Sequence, residues 1–167
     1  GDAGYTIETA AAVSTDTNYS GFIVNDVSVT NTDDDTARVT VNPTSGLETS
    51  EAGGGAPFTV VLTTEPTSNV TISFTSTDTT EGAVAPASVV FSNTNWSTAQ
   101  PVVVTGADDE VDDGDQGYTI ETASASADTN YSGLAVDDVS VTNSDDDSAG
   151  VTVTPTTGLA TDETGLQ

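Results

Sequence analysis

The sequence contains no cysteine, no histidine and no methionine. Thiol nucleophiles, imidazole bases, soft metal sites and the usual zinc ligand sets are removed together. Most catalytic mechanisms go with them, and the chain is expected not to be an enzyme. Positive charge is almost missing: Arg38 is the single basic residue, and the formal net charge is -26. Such a chain cannot neutralise nucleic-acid phosphates or an anionic membrane surface, which excludes both as partners. It repels itself when folded and needs counterions to stay compact, so cations are its natural partners. No apolar run reaches the roughly 18 residues of a membrane span, so membrane insertion is not expected. The opening Gly1-Asp2-Ala3 has no basic and apolar leader, and the chain is expected to be an internal segment of a longer protein.

What the sequence does have is a repeat. GDAGYTIETAAAVSTDTNYSGFIVNDVSVTNTDDD, from Gly1 to Asp35, returns as GDQGYTIETASASADTNYSGLAVDDVSVTNSDDD from Gly114 to Asp147. ARVTVNPTSGLETSE, from Ala37, returns as AGVTVTPTTGLATDE from Ala149, giving a period of about 112 residues with one deletion near Ala127. Residues 52 to 107 occur once. The expected organisation is therefore the C-terminal strands of a preceding repeat over 1–36, one complete repeat over 37–148, and the first strand of a following repeat over 149–167.

Within 37–148, runs with period-2 alternation are separated by Gly, Pro, Asn, Asp and Ser clusters, the pattern of strands. Strands are predicted at Arg38–Pro43, Pro57–Thr64, Asn69–Ser76, Ser88–Ser92, Gln100–Gly106, Gly117–Ala125 and Asp138–Asn143. The expected fold is all-β, an immunoglobulin-like antiparallel β-sandwich of about seven strands in a tandem array. Alternation points Val39, Val41, Phe58, Val60, Leu62, Val70, Ile72, Phe74, Val89, Phe91, Val102, Val104, Tyr118, Ile120, Val139 and Val141 inward.

The acids are unevenly placed. Between Ala52 and Ala107 only Glu65, Asp78 and Glu81 occur, whereas Asp108–Asp115 reads DDEVDDGD. If strands alternate in direction, the loops after strands one, three and five and the end of strand seven share one pole. That pole collects Glu48 and Glu51, Asp78 and Glu81, Asp108 to Asp115, and Asp145 to Asp147. The opposite pole holds mainly Glu65, Asp128 and Asp137. Carboxylates so crowded cannot all ionise without a cation, and a hard ion taking six to eight oxygens, Ca2+ rather than Mg2+, suits them. The plain alternative is an acidic, halophile-style surface that only holds water and monovalent ions.

TSEAGGGAPFTVVL, SVVFSNTNWSTAQPVVVTGADDEVDDGDQGYTI and the closing NSDDD resemble the Calx-beta family, the calcium-binding sandwich of sodium-calcium exchangers that also recurs in large bacterial surface proteins. The resemblance covers Ala37 to Asp147. It implies calcium ligands at Glu51, at Asp108, Asp109, Asp113 and Asp115, and at Asp145, Asp146 and Asp147, with Asp33, Asp34 and Asp35 as the equivalent triplet closing the preceding repeat. The loop TSTDTTEGAVAP departs from the family, lacking its Asp-Tyr pair, and Asp78 and Glu81 are the acids found there.

These observations lead to a structural spacer of a secreted or cell-surface adhesin or matrix filament, stiffened by Ca2+ at junctions between repeats. Its partners would be neighbouring repeats or identical chains end to end, with a possible cell-surface or matrix ligand. Two other functions compete: a self-assembling extracellular filament built by strand complementation between chains, and a carbohydrate-binding module using Trp96. Trp96 reads first as a plug over one end of the core. Gly53 to Gly55 lacks a following Lys and helix, and so reads as a turn.

Overall fold

Every regular element among the described residues is a strand, as the alternation and the wealth of Thr and Val require. The structure is a computed structural model and describes residues 1–161 and 163. The chain divides into two compact units, Gly1–Thr36 and the part from Ala37 onward.

In the first unit, β1 (Ala3–Ile7) and β2 (Val27–Asn31) form an antiparallel pair, with Tyr5 opposite Val29 and Ile7 opposite Val27. The long connection is closed by its own polar groups. Thr9 donates its backbone N–H to Asp26 Oδ1 at 2.8 Å, and Ala12 donates to the Phe22 carbonyl at 2.9 Å.

The second unit contains β3 (Val39–Asn42), β4 (Leu47–Ser50), β5 (Gly55–Leu62), β6 (Val70–Ser76), β7 (Gly82–Ala85), β8 (Ser88–Phe91), β9 (Gln100–Gly106), β10 (Gln116–Ser126) and β11 (Val139–Ser144). They form a five-stranded sheet in the order β4-β11-β10-β6-β8 and a four-stranded sheet in the order β3-β5-β9-β7. One face of each sheet is apolar because alternate residues point the same way. Phe58, Val60, Val102 and Val104 from one sheet, and Val70, Ile72, Phe91, Ile120 and Val139 from the other, are buried in a single cluster. Phe58 meets Phe74 across the sheets edge to face, with ring centroids 5.5 Å apart. Trp96 is half-buried and packs against this cluster.

The fold is the expected β-sandwich, with two differences of detail. Two short strands, β4 and β7, join the seven read from the sequence. LETS carries a single apolar residue, and GAVA is small-residued and followed by Pro86, so neither gives the alternating Val, Ile and aromatic signal of a strand. The other difference is that β4 pairs with β11 in parallel. After pairing with β5, the chain leaves the four-stranded sheet at Asn42, turns through Gly46 at φ +72°, and continues in the five-stranded sheet as β4. Gly46 supplies the left-handed backbone this turn needs. During the crossing the Thr44 carbonyl accepts the Ser140 N–H at 2.9 Å, so the main chain stays hydrogen-bonded.

The strand expected over 149–167 extends beyond the described residues. From Ser148 to Thr161 the chain is exposed and carries no strand.

Candidate metal centre

The parallel pairing of β4 with β11 creates the site, because it sends two acidic segments off the same sheet edge in the same direction. Glu51 follows β4 and continues the ladder, its N–H donating to the Ser144 carbonyl at 3.1 Å. Gly53, at φ +86°, then turns the chain back toward β5, its N–H bonded to the Ser50 carbonyl. Asp145 and Asp147 follow β11. Carboxylate oxygens of Glu51, Asp145 and Asp147 all lie within 4.8 Å of one another.

Main-chain donors fix the group. Asp145 accepts the Gly114 N–H at 2.8 Å on Oδ2 and the Asp147 N–H at 2.8 Å on Oδ1. Glu51 Oε2 accepts the Asp146 N–H at 3.3 Å. Asp115 Oδ1 accepts the Asp145 N–H at 3.3 Å, which ties the β9–β10 loop to the end of β11. The same loop reaches past the cluster, where Asp112 Oδ2 accepts the Ala149 N–H at 2.7 Å.

The three carboxyls do not share one electrostatic environment. The N–H groups of Asp147 and Gly114 hold Asp145 below the usual carboxylate range. Burial pushes Glu51 up, against the Asp146 N–H, and the charges of Asp145, Asp109 and Asp147 add to the rise. Burial likewise raises Asp147, followed by the charges of Asp145, Asp146, Asp108 and Asp109. Asp147 Oδ2 is buried and has no hydrogen-bond partner among the described residues. An unpaired buried carboxylate oxygen is costly, and such atoms in folded proteins call for a ligand or a proton.

The donor set fits a hard cation. Two oxygens on one Ca2+ at 2.3–2.6 Å can be at most about 5 Å apart, a limit that this cluster meets. All three groups are oxygen donors, as Ca2+ and Mg2+ prefer.

A polar network backs the cluster. Asn143, on the inward face of β11 after Val139 and Val141, donates to the Ala107 carbonyl at 3.1 Å and to Glu81 Oε2 at 3.4 Å. Its Oδ1 accepts the Thr49 hydroxyl at 2.9 Å, and Thr49 lies 3.3 Å from the Tyr118 hydroxyl. Gly106 is required here, because a Cβ at this position would run into the Ser50 carbonyl and Asn143 Oδ1.

Of the acids singled out in the sequence, Glu51, Asp145 and Asp147 form this cluster. Asp115 touches it through the main chain. Asp108 and Asp109 are exposed and act on it through charge. Asp113 and Asp146 are exposed, and neither joins the group of three. Asp33, Asp34 and Asp35 lie in the first unit and are exposed; Asp33 pairs with the Gly1 amino group and accepts the Asp35 N–H. Glu48 points outward from β4, and Asp78 binds the Thr80 N–H and hydroxyl of its own turn. The sequence reading missed the role of Asn143, although its place two residues beyond Val141 on the same face was a usable signal. Asp128 lies at the opposite pole as expected, but its structural role was missed: it is buried and accepts the Thr67 and Asn130 N–H groups at 2.8 and 2.9 Å.

No family model and no curated protein matches the sequence. Among solved structures, the apo-form Calx CBD1 domain aligns with a TM-score of 0.50 at 20% identity, covering 68% of this chain and 100% of that one. The E. coli chaperone DraB aligns with a TM-score of 0.45 at 13% identity, covering 69% of this chain and 59% of that one. A C. elegans MSP family member aligns with a TM-score of 0.44 at 11% identity, covering 64% and 96%. The likeness to the Calx domain is one of fold, a Calx-beta-like, immunoglobulin-like sandwich.

Proposed function

We propose that the chain is a non-catalytic spacer repeat of an extracellular or cell-surface protein, and that its acidic pole binds Ca2+ to stiffen the passage from one repeat to the next. The observation that carries this reading is the unpartnered, buried Asp147 Oδ2 beside Glu51 and Asp145. A carboxylate trio with one orphaned oxygen is unfavourable without a cation and favourable with one. Glu51, Asp145 and Asp147 would hold the ion, and Asp108, Asp109 and Asp115 would add negative charge around it. The site lies where β11 ends and the next repeat unit begins in sequence, so occupancy would restrict the hinge. The internal repeat supports a tandem array, in which reach and rigidity are the useful properties.

Calorimetric titration of chelator-stripped protein with CaCl2 tests the reading. A saturable signal that Asp147→Asn removes is expected. Equal, non-saturating responses to Ca2+, Mg2+ and NaCl would leave the acids as a merely solvated surface.

A further inference from the structure

The pole opposite the acidic cluster holds a cleft of about 360 Å3, lined by Glu65, Pro66, Thr67, Ser68, Asn69 and Asn93. One wall is the β5–β6 connection, residues 63–69, and the other is the start of the β8–β9 connection, residues 92–99. Its volume lies in the lower part of the range of small-molecule sites, roughly 300–1,000 Å3.

Both walls are held from behind. Asp128, 5% exposed, accepts the Thr67 N–H on Oδ2 at 2.8 Å, and the Ser126 hydroxyl donates to the Asn69 carbonyl at 3.0 Å. The buried Tyr131 hydroxyl donates to the Thr64 carbonyl at 2.8 Å and accepts the Thr64 N–H at 3.2 Å. On the other wall the Asn95 carboxamide closes the turn, accepting the Ser92 N–H at 2.6 Å and donating to the Val90 carbonyl at 3.1 Å. The Leu62 N–H donates to the Trp96 carbonyl at 3.1 Å, which joins the two connections. The main chain of the cleft is therefore fixed before any ligand arrives, which lowers the entropy cost of binding.

The side chains that line it are not used in this framework. Among the described residues, those of Glu65, Ser68, Asn69 and Asn93 have no hydrogen-bond partner. They supply a carboxylate that accepts, a hydroxyl, and two carboxamides that both donate and accept. The acidic pole offers acceptors alone; this set mixes the two roles, as the neighbouring hydroxyls of a sugar do. No basic or aromatic side chain lines the cleft, so it holds neither an anionic group nor a flat aromatic ring. One carboxylate is a poor rival to the acidic pole for a divalent cation. Trp96 shares a loop with Asn93 but packs against the core and does not line the cleft.

We propose that this cleft binds a neutral saccharide, with the Glu65 carboxylate accepting from adjacent hydroxyls and the Asn69 and Asn93 carboxamides donating to and accepting from the others. Recognition uses no metal and stands independently of the calcium reading. Two-dimensional NMR of the isotope-labelled full chain in EDTA tests it. Glucose, galactose, mannose and N-acetylglucosamine are each titrated to about 50 mM, well above the dissociation constant on the order of 1 mM expected of a small ligand in an open site. Saturable shifts confined to the amides of 64–69 and 92–96 are expected with at least one of these sugars, and none with N-acetylneuraminic acid, which is anionic. Glu65→Gln and Asn93→Ala should each weaken that affinity about tenfold, the worth of a hydrogen bond or two, at unchanged Tm because neither side chain supports the fold. No saturable shift with any of the four sugars, or shifts that both variants leave intact, would overturn the site. A stronger response to N-acetylneuraminic acid would overturn the ligand class. Binding that appears only when CaCl2 replaces EDTA would overturn direct recognition and make the sugar a ligand of a bound ion.

Discussion

Replacing Asp147 by Asn should have opposite effects with and without calcium. In EDTA, Glu51 and Asp147 are both raised by burial and by neighbouring charge, and Asp147 Oδ2 is orphaned. Asp147→Asn removes one of three converging charges, so Tm in EDTA should stay level or rise. In calcium the wild type gains by mass action. With a dissociation constant of about 10^-4 to 10^-3 M, usual for extracellular modules, about 10 mM Ca2+ adds roughly 1.4 to 2.7 kcal/mol per site. At about 4 °C per kcal/mol for a domain of this size, Tm should rise by about 6 to 11 °C. Asp147→Asn should lose most of that rise. The assay is thermal unfolding followed by circular dichroism, with Mg2+ and NaCl controls at matched ionic strength. pH gives a second reading. Carboxyls with raised folded-state values stabilise most below the unfolded-chain range, and that contribution is lost as pH rises through their folded range. In EDTA, stability from Glu51 and Asp147 should therefore decline as pH climbs through and above the carboxylate range, and the calcium gain should grow over the same interval. An Asp147→Asn protein that is less stable in EDTA, yet keeps the full calcium response, would refute the reasoning.

Substitutions at three further positions separate the site from the scaffold. Asp128 is held below its ordinary value by the Thr67 N–H, then the Asn130 N–H; Asp128→Ala should cost about 1–3 kcal/mol by chemical denaturation, equally with and without calcium. Its stabilisation is present above the unfolded carboxylate value and lost as pH falls through the folded one, so Asp128→Asn should flatten the acid limb of the stability profile. Gly106→Ala forces a Cβ against the Ser50 carbonyl and Asn143 and should lower stability by about 1–3 kcal/mol, with a weakened calcium response in the same melts. Tyr131→Phe removes the hydroxyl that donates to the Thr64 carbonyl at 2.8 Å and should cost about 1 kcal/mol in urea unfolding, with the calcium gain unchanged.

Period-2 alternation made the sheets legible because each long strand buries one face: Val70, Ile72 and Phe74 point inward with polar residues between them. It failed at β4, where the evidence for a strand is not apolar content but a parallel neighbour more than ninety residues away in sequence. The acidic pole was visible in the clustering of Asp108 to Asp115, but clustering does not say which oxygens converge. Asp109, Asp112 and Asp115 use theirs on the main-chain N–H groups of Val111, Ala149 and Asp145. Asp147 keeps a buried oxygen unused, and that difference depends on where β11 ends relative to the loop.

The two hairpins separate what is local from what is not. Their pairing is the same whether the apolar face is covered or bare, so the register is set by the hairpin's own sequence and needs no other strand to impose it. Burial, by contrast, depends on the strands laid against the hairpin: Tyr131 fills the core of the second unit, whereas its counterpart, Tyr19, is exposed. Register is thus carried by the hairpin's own residues, whereas burial is supplied by the strands of 52–107, whose Phe58, Val60, Ile72, Phe91 and Val102 form the core with Ile120 and Val139.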